Sequence, residues 1–278
     1  MRWIVSGLAT PAASLEDDCR AAARLGADGL ELARPKLPPA LERHGLVGLA
    51  ALLRRHAVRA FSLALVDDVT FRDPAGTEAV VEAVHRAAEA ARALGATWIV
   101  VTPGERPDGC DEREATREAQ ATLGRLVRIG ERYDVGLALC PLGRPWASVR
   151  GVRQALAVLH GVGRRALGLA VDTFEAWAAG SQPDDLKACD PRALAMLRLA
   201  GAAPHVGPDE ARAHHRRAPG EGAVPVAAWL TVALAVEPSL AVSSPVAAED
   251  RGVAAEDWQR RLRDTARALA RPDTVRRR

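Results

Sequence analysis

Two stretches decide the fold: Gly136-Leu-Ala-Leu-Cys140-Pro-Leu-Gly-Arg144 and Leu167-Gly-Leu-Ala-Val-Asp172-Thr-Phe-Glu175. Each is a short apolar run that breaks into polar chemistry at the same relative point. Neighbouring parallel strands of a (β/α)8 barrel present a rim in this way, because the reacting groups of such barrels sit at the carboxyl ends of the strands. The pattern therefore brings Cys140, Arg144, Asp172 and Glu175 to one mouth. Residue 140 is unusual, a thiol at the point where the apolar run meets the rim.

Outward from these runs, the chain alternates short β-like segments with longer helical patterns rich in Ala, Leu, Arg and Glu. Strands are expected at 2–6, 28–32, 59–65, 97–102, 136–140, 167–172, 195–199 and 240–243. Helices are expected at 14–25, 40–56, 76–94, 112–133, 148–161, 183–188, 224–235 and 252–270. Ser14 precedes an acidic first turn, and Leu-Gly26 and Leu-Gly95 each close a helix just before a strand. Eight such units read as one closed α/β barrel, a single (β/α)8 TIM barrel over residues 1–271, followed by a basic tail at 272–278. An open doubly wound sheet would want a glycine-rich phosphate fingerprint after the first strand, and Ser6-Gly-Leu-Ala-Thr10 is not one. Two loops are long for this architecture, 103–112 and 200–223. Both follow strands and so belong to the catalytic face.

The 278 residues fit one such barrel without a second core. Hydrophobic residues make up 48% and aromatics only 4%, so the packing must be aliphatic. The net charge is +3, and Lys36 and Lys187 are the only lysines. This Arg-for-Lys usage, with abundant Ala, Gly and Val, points to a high-GC bacterial genome. No basic stripe interleaved with aromatics appears, which argues against nucleic acid as a partner. No run approaches the ~18 uninterrupted apolar residues of a membrane span. Cys19, Cys110, Cys140 and Cys189 are widely separated, which disfavours a disulfide framework and a zinc ribbon and fits a reducing cytoplasm. The start, Met1-Arg-Trp-Ile-Val-Ser6, reads as a strand rather than a secretory leader.

Five elements occur in order: Leu25-Gly-Ala-Asp-Gly-Leu-Glu31-Leu; Leu94-Gly-Ala-Thr-Trp-Ile-Val-Val-Thr-Pro-Gly104; Leu139-Cys-Pro-Leu-Gly-Arg144; Val171-Asp-Thr-Phe-Glu175-Ala-Trp177; and His214-His-Arg-Arg-Ala-Pro-Gly-Glu-Gly222. Together they resemble the xylose isomerase-like barrels, the sugar phosphate isomerase/epimerase superfamily, over nearly the whole chain. The Asp-Thr-Phe-x-x-Trp and Pro-Gly-Glu-Gly elements are most similar to its dehydroshikimate dehydratase and inosose dehydratase-like branch. The resemblance implies a small, polyhydroxylated substrate and a homodimer as the alternative to a monomer. It also implies one divalent metal held by Glu, Asp, His or Gln, and Glu at the ends of the fifth to eighth strands. Those positions fall on Cys140, Asp172, Arg198 and Ser243, so only the aspartate survives, and the family's usual His three residues beyond it is Glu175. A guanidinium ~4 Å from a divalent ion repels it by roughly 8 kcal/mol at an effective dielectric of ~20. Hard cations also want several anionic oxygens. No metal or other cofactor is therefore expected. An Arg198–Asp172 ion pair is expected in the vacated centre.

Asp172, Glu175, Arg198, His214 and Glu31 are the catalytic candidates. Asp172, Glu175 and one histidine of the 214–215 pair, turned inward, would move protons, and Arg198 would stabilise an oxyanion. Glu31 and Glu105 are general acid/base candidates if partly buried, or else rim partners of Arg34 and Arg106. Glu105, Cys140, Arg144, Trp177, His215, Arg216 and Ser243 are candidates for holding the substrate, with Glu105 alternatively paired to Arg106. Cys140 reads either as a nucleophile beside a cation or as a small apolar filler. The function expected is a metal-independent isomerase, dehydratase or cyclase acting on a small oxygenated molecule, in a specialised biosynthetic pathway. A softer zinc site rebuilt from Cys140, Asp172 and His214 or His215, and a non-catalytic binding barrel, are the alternatives.

Overall fold

A computed structural model describes residues 1–248 and 253–271; the expected basic tail at 272–278 lies outside the described residues. In chain order the elements are β1 (Arg2–Ser6), α1 (Leu15–Leu25), β2 (Gly29–Ala33), α2 (Leu37–Arg55), β3 (Ala60–Val66), α3 (Pro74–Leu94), β4 (Trp98–Val101), α4 (Glu112–Arg132) and β5 (Gly136–Leu139). Then come α5 (Val152–Val162), β6 (Leu167–Asp172), α6 (Thr173–Ala178), β7 (Leu194–Arg198), β8 (Gly201–Ala202), β9 (Arg216–Arg217), α7 (Val226–Val236), β10 (Ala241–Ser243) and α8 (Ala255–Leu269). Eight parallel strands close in the order β1-β10-β7-β6-β5-β4-β3-β2. The expected single (β/α)8 barrel is what forms.

The helices start where the local chemistry lets them. Ser14 and Asp111 each cap a helix through a reciprocal capping box with the residue three positions on, satisfying amide groups that would otherwise lack partners. Gly26, Gly95 and Gly163 end α1, α3 and α5 in the left-handed conformation that glycine adopts without cost.

Inside the barrel, side chains stack in layers. Trp98 fills the lower layer across β5 and β6, and only glycine fits opposite it, since a Cβ on Gly168 would lie 2.9 Å from the indole ring. Gly136 is closed to a side chain by the same ring. Above it, Ile4, Ala138, Ala170, Met196 and Ala241 form an aliphatic plug, and above that the interior turns polar.

Four sequence expectations change. The helix expected at 148–161 begins only at Val152, because Ser148 to Gly151 are drawn into the β5–α5 loop by hydrogen bonds such as Ser148 N to the Gly104 carbonyl, 2.9 Å. The helix expected at 183–188 is a 3-10 turn. The true helix of that unit, α6, starts immediately after β6 because the Asp172 carboxylate caps it. The loop 200–223 contains a small antiparallel ribbon, Gly201 opposite Arg217 and Ala202 opposite Arg216, too short to show a strand period.

Candidate active site

Six of the eight barrel strands carry a residue of the mouth at or near their carboxyl ends. Ser6 ends β1, Glu31 lies in β2, Cys140 follows β5, and Asp172, Arg198 and Ser243 end β6, β7 and β10. The register places Ser6 beside Glu31, Asp172 beside Arg198 and Arg198 beside Ser243. All six are buried.

Two ion-pair systems divide this mouth. In the first, Arg198 donates from Nε to Glu31 Oε1 at 3.1 Å and from Nη2 to the same oxygen. Ser6 Oγ donates to Glu31 Oε2 at 2.7 Å, and Ser62 Oγ lies 3.5 Å from Oε1. The third guanidinium nitrogen, Nη1, meets only the Cys140 sulfur among the described residues, at 3.9 Å. Burial works against the charge on Arg198, but Glu31, Cys140 and Asp172 outweigh it and raise its pKa, so the group is a fixed cation.

In the second system, Arg216 Nη1 donates to both oxygens of Asp172 at 2.9 Å, and its Nη2 to Glu175 Oε1 at 2.8 Å. Arg144 adds a contact to the same Glu175 oxygen at 3.2 Å, and the Gly143 amide donates to Oε2 at 2.8 Å. Asp172 Oδ1 also accepts from the Phe174 and Glu175 amides at 3.0 and 3.3 Å, so Oδ2 is its less engaged oxygen. Phe174, fully buried, supports the Arg216 guanidinium from below, 4.5 Å from ring centre to Cζ.

The expected Arg198–Asp172 pair is therefore replaced by two others. Although the two residues are register neighbours, the Arg198 side chain reaches across the barrel to Glu31, and Arg216 from the β9 ribbon takes the aspartate. Glu31 accordingly makes no rim pair with Arg34, which bonds Asp67 instead at 2.9 Å. Glu105 is exposed rather than partly buried, although its backbone bridges to the buried Ala147. His214 is exposed, and the half-buried His215 accepts the Arg212 amide on Nδ1 at 3.2 Å. Among the described residues neither histidine contacts a mouth carboxylate, because the 3-10 turn at 213–215 holds both within their own loop. Trp177 is half-buried, packing on the core with its ring 6.2 Å from that of Phe174. Cys140 is 2% exposed, and burial pushes its thiol up to about 12 despite the pull of Arg198. A nucleophilic thiolate at neutral pH is disfavoured, leaving the filler reading.

Ser243 Oγ is buried with no hydrogen-bond partner among the described residues. It and Arg198 Nη1 leave donor capacity at the barrel centre. The roles of Ser6 and Ser62 were not read from the sequence. The one signal for Ser6 was a hydroxyl ending an otherwise apolar strand.

The donors at the four positions where the resembling family holds its metal do not suit a divalent cation. A protonated thiol, a serine hydroxyl and a guanidinium accompany one carboxylate that already accepts from Arg216 and two amides. No group of three His, Cys, Asp or Glu side chains among the described residues is arranged to hold an ion, and this includes the alternative of Cys140, Asp172 and a loop histidine.

The model of the xylose isomerase-like TIM barrel family matches residues 19–238. The chain belongs to this family. Among curated relatives, an inosose isomerase of Bacillus velezensis is 28% identical over 187 residues, 67% of each chain. An inosose isomerase of Bacillus subtilis is 27% identical over 128 residues, 46% of each chain. The match to a third inosose isomerase, of Halalkalibacterium halodurans, spans 58% of that relative's length. Among solved structures, the crystal structure of IolI protein with a bound zinc atom superposes with a TM-score of 0.91 at 24% identity, covering 97% of this chain and 98% of that one. The probable 3-DHS dehydratase AsbF of Bacillus anthracis gives 0.74 at 14% identity, covering 98% and 100%. At these identities the superpositions speak for the shared barrel.

Proposed function

We propose that this family member is an isomerase of small polyhydroxylated carbonyl compounds that works by acid–base chemistry, with the Arg198 guanidinium in the electrostatic role a metal plays elsewhere. The observation that carries the reading is Arg198, buried at the barrel centre, fixed by Glu31 and with Nη1 engaged by no oxygen among the described residues, its contact being the Cys140 sulfur at 3.9 Å. The inosose isomerase relatives support the substrate class.

Moving a carbonyl along a polyol requires removing a proton from the carbon beside it and holding the resulting enolate oxygen. Asp172 Oδ2 is the base, since Oδ1 is occupied by two amides. Arg198 Nη1 and Ser243 Oγ are donors for the oxyanion. A donor fixed before reaction in a dry site does not reorganise at the transition state. Glu31 positions Arg198 and keeps it oriented. Arg216 and Arg144 hold Glu175 beside Asp172, where it can take the proton of the neighbouring hydroxyl, which becomes the new carbonyl, and pass it to the enolate oxygen, while Asp172 returns its proton to the former carbonyl carbon. The same groups would serve a dehydratase by protonating a leaving hydroxyl. The metal-free reading and a place in a specialised biosynthetic pathway belong to this proposal.

Incubation with inosose in D2O tests it. Solvent deuterium should enter the carbon beside the carbonyl, with isomer formation unaffected by chelator. Asp172→Asn should slow both by at least ~100-fold, the usual scale of a lost general base. Loss of activity on chelation with recovery on adding Mn²⁺ or Zn²⁺ would overturn the metal-free mechanism.

A further inference from the structure

A second cationic site lies on the same face of the barrel, behind the wall formed by the β5–α5 loop. It is a cleft of about 420 Å3 between the β4–α4 loop, the first turn of α5 and the segment after α6. Three guanidiniums, from Arg106, Arg150 and Arg153, line it. The acids present are Glu112 and Asp185, and Asp185 is already engaged by Arg153 Nε at 2.7 Å and by the Gln182 amide at 2.9 Å. Arg106 has no acidic partner among the described residues. Arg150 spends one Nη2 bond of 3.3 Å on the Gly143 carbonyl, and its Nε is buried with no partner.

The amino end of α5 is the positive end of its dipole; its first turn holds no acid, and the Val152 amide there is met only by the neutral Ser181 hydroxyl, at 3.0 Å, among the described residues. With Asp185 paired to Arg153, three guanidiniums against two carboxylates leave the cleft beside that helix end net positive, and an anion would neutralise the surplus. Gln154, Ser181 and Gln182 supply neutral polar walls, and the cleft has room for a group much larger than a chloride ion.

The geometry points to a binding site for a phosphate group, free or as a monoester, held by Arg106, Arg150 and Arg153 and separate from the mouth. Guanidinium forks match the oxygens of a phosphate in charge and spacing. The site also reaches the mouth through one residue, because the Gly143 carbonyl takes Arg150 while the Gly143 amide donates to Glu175. An anion that draws Arg150 into the cleft acts on the loop that fixes Glu175.

Titration calorimetry of the full chain with inorganic phosphate, and separately with glycerol 2-phosphate, in a chloride buffer tests the assignment. One saturable site is expected, weakened about tenfold by Arg106→Gln and by Arg153→Gln alone, the scale of one lost charge-assisted hydrogen bond. Hydrogen exchange should show phosphate-dependent protection at residues 151–154 and 180–182. Binding of both probes identifies a monoester site, and binding of inorganic phosphate alone a free-ion site. No saturable binding, binding unchanged in both variants, or protection appearing at the Arg216 ribbon instead would overturn the proposal. Circular dichroism of the two variants, whose changed side chains lie at the cleft rim, guards against a folding artefact. None of these readouts depends on isomerase activity.

Discussion

Replacing Arg198 by methionine isolates what the central guanidinium does for the fold. Glu31 is fully buried, and the variant leaves its carboxylate with only the hydroxyls of Ser6 and Ser62, at 2.7 and 3.5 Å. Removing one partner of a buried ion pair costs about 3–5 kcal/mol, because the other charge stays desolvated. The Ser6 and Ser62 hydroxyls already bond Glu31 in the wild type and offset nothing further, so a deficit of about 3–5 kcal/mol relative to wild type is expected at pH 7.5. The variant also acquires a signature. A stranded Glu31 has its folded pKa raised above the unfolded value of about 4.3. Between those two values the folded state binds the extra proton, so stability is lost as pH rises and the penalty is complete above the folded pKa. The deficit should therefore shrink as pH falls toward about 5 and be largest at neutral pH. Urea unfolding followed by tryptophan fluorescence at pH 5.0, 6.0 and 7.5 reads it directly. Glu31→Gln combined with Arg198→Met should recover most of the loss, since a neutral amide satisfies the two serines without a counter-ion. A single variant within 1 kcal/mol of wild type at every pH, or a deficit that grows on acidification, would refute the claim that this pair is the barrel's electrostatic centre.

Three further outcomes follow from the same geometry. Cys140 should resist iodoacetamide at pH 7.5 in the native protein, and react once urea opens the barrel, because burial holds its thiol near 12; rapid native labelling assigned to Cys140 by mass spectrometry would contradict this. Gly136→Ala should destabilise by about 1–3 kcal/mol through overpacking against the Trp98 ring, with Trp98→Phe relieving part of it; an unchanged unfolding midpoint would show that the lower layer has slack. Asp18, buried against Lys36 and Thr10, is driven up to about 6 by burial. Its carboxyl carbon should titrate there by NMR, and its contribution should lower stability as pH rises from about 4 to 6, with the full cost present above 6. Titration near 4 would show that the Lys36 contact outweighs desolvation.

The strand ends were legible because a parallel barrel strand carries its chemistry at a predictable point. Val171-Asp172 and Leu197-Arg198 each announce a polar residue after an apolar run, and both lie at the mouth. Helix α6 was missed because it has no helical period of its own in six residues and exists because Asp172 caps it. The histidines misled for a related reason. Residue type near a catalytic face says nothing of direction, and the turn at 213–215 holds His214 in solvent while delivering Arg216, the next residue but one, to Asp172.

From the sequence alone came the alternation of elements, the closed barrel and the mouth, and the family resemblance added the loss of metal ligands at Cys140, Arg198 and Ser243. The first three follow from periodicities of two and 3.6 residues and from counting along strands, which are local. The pairing of charges was settled only in three dimensions. Arg198 is next to Asp172 in register, yet its long side chain spans the barrel to a carboxylate 167 positions away in the chain. A guanidinium satisfies itself with whichever buried carboxylate its reach and the surrounding donors favour, and that choice depends on the whole mouth at once.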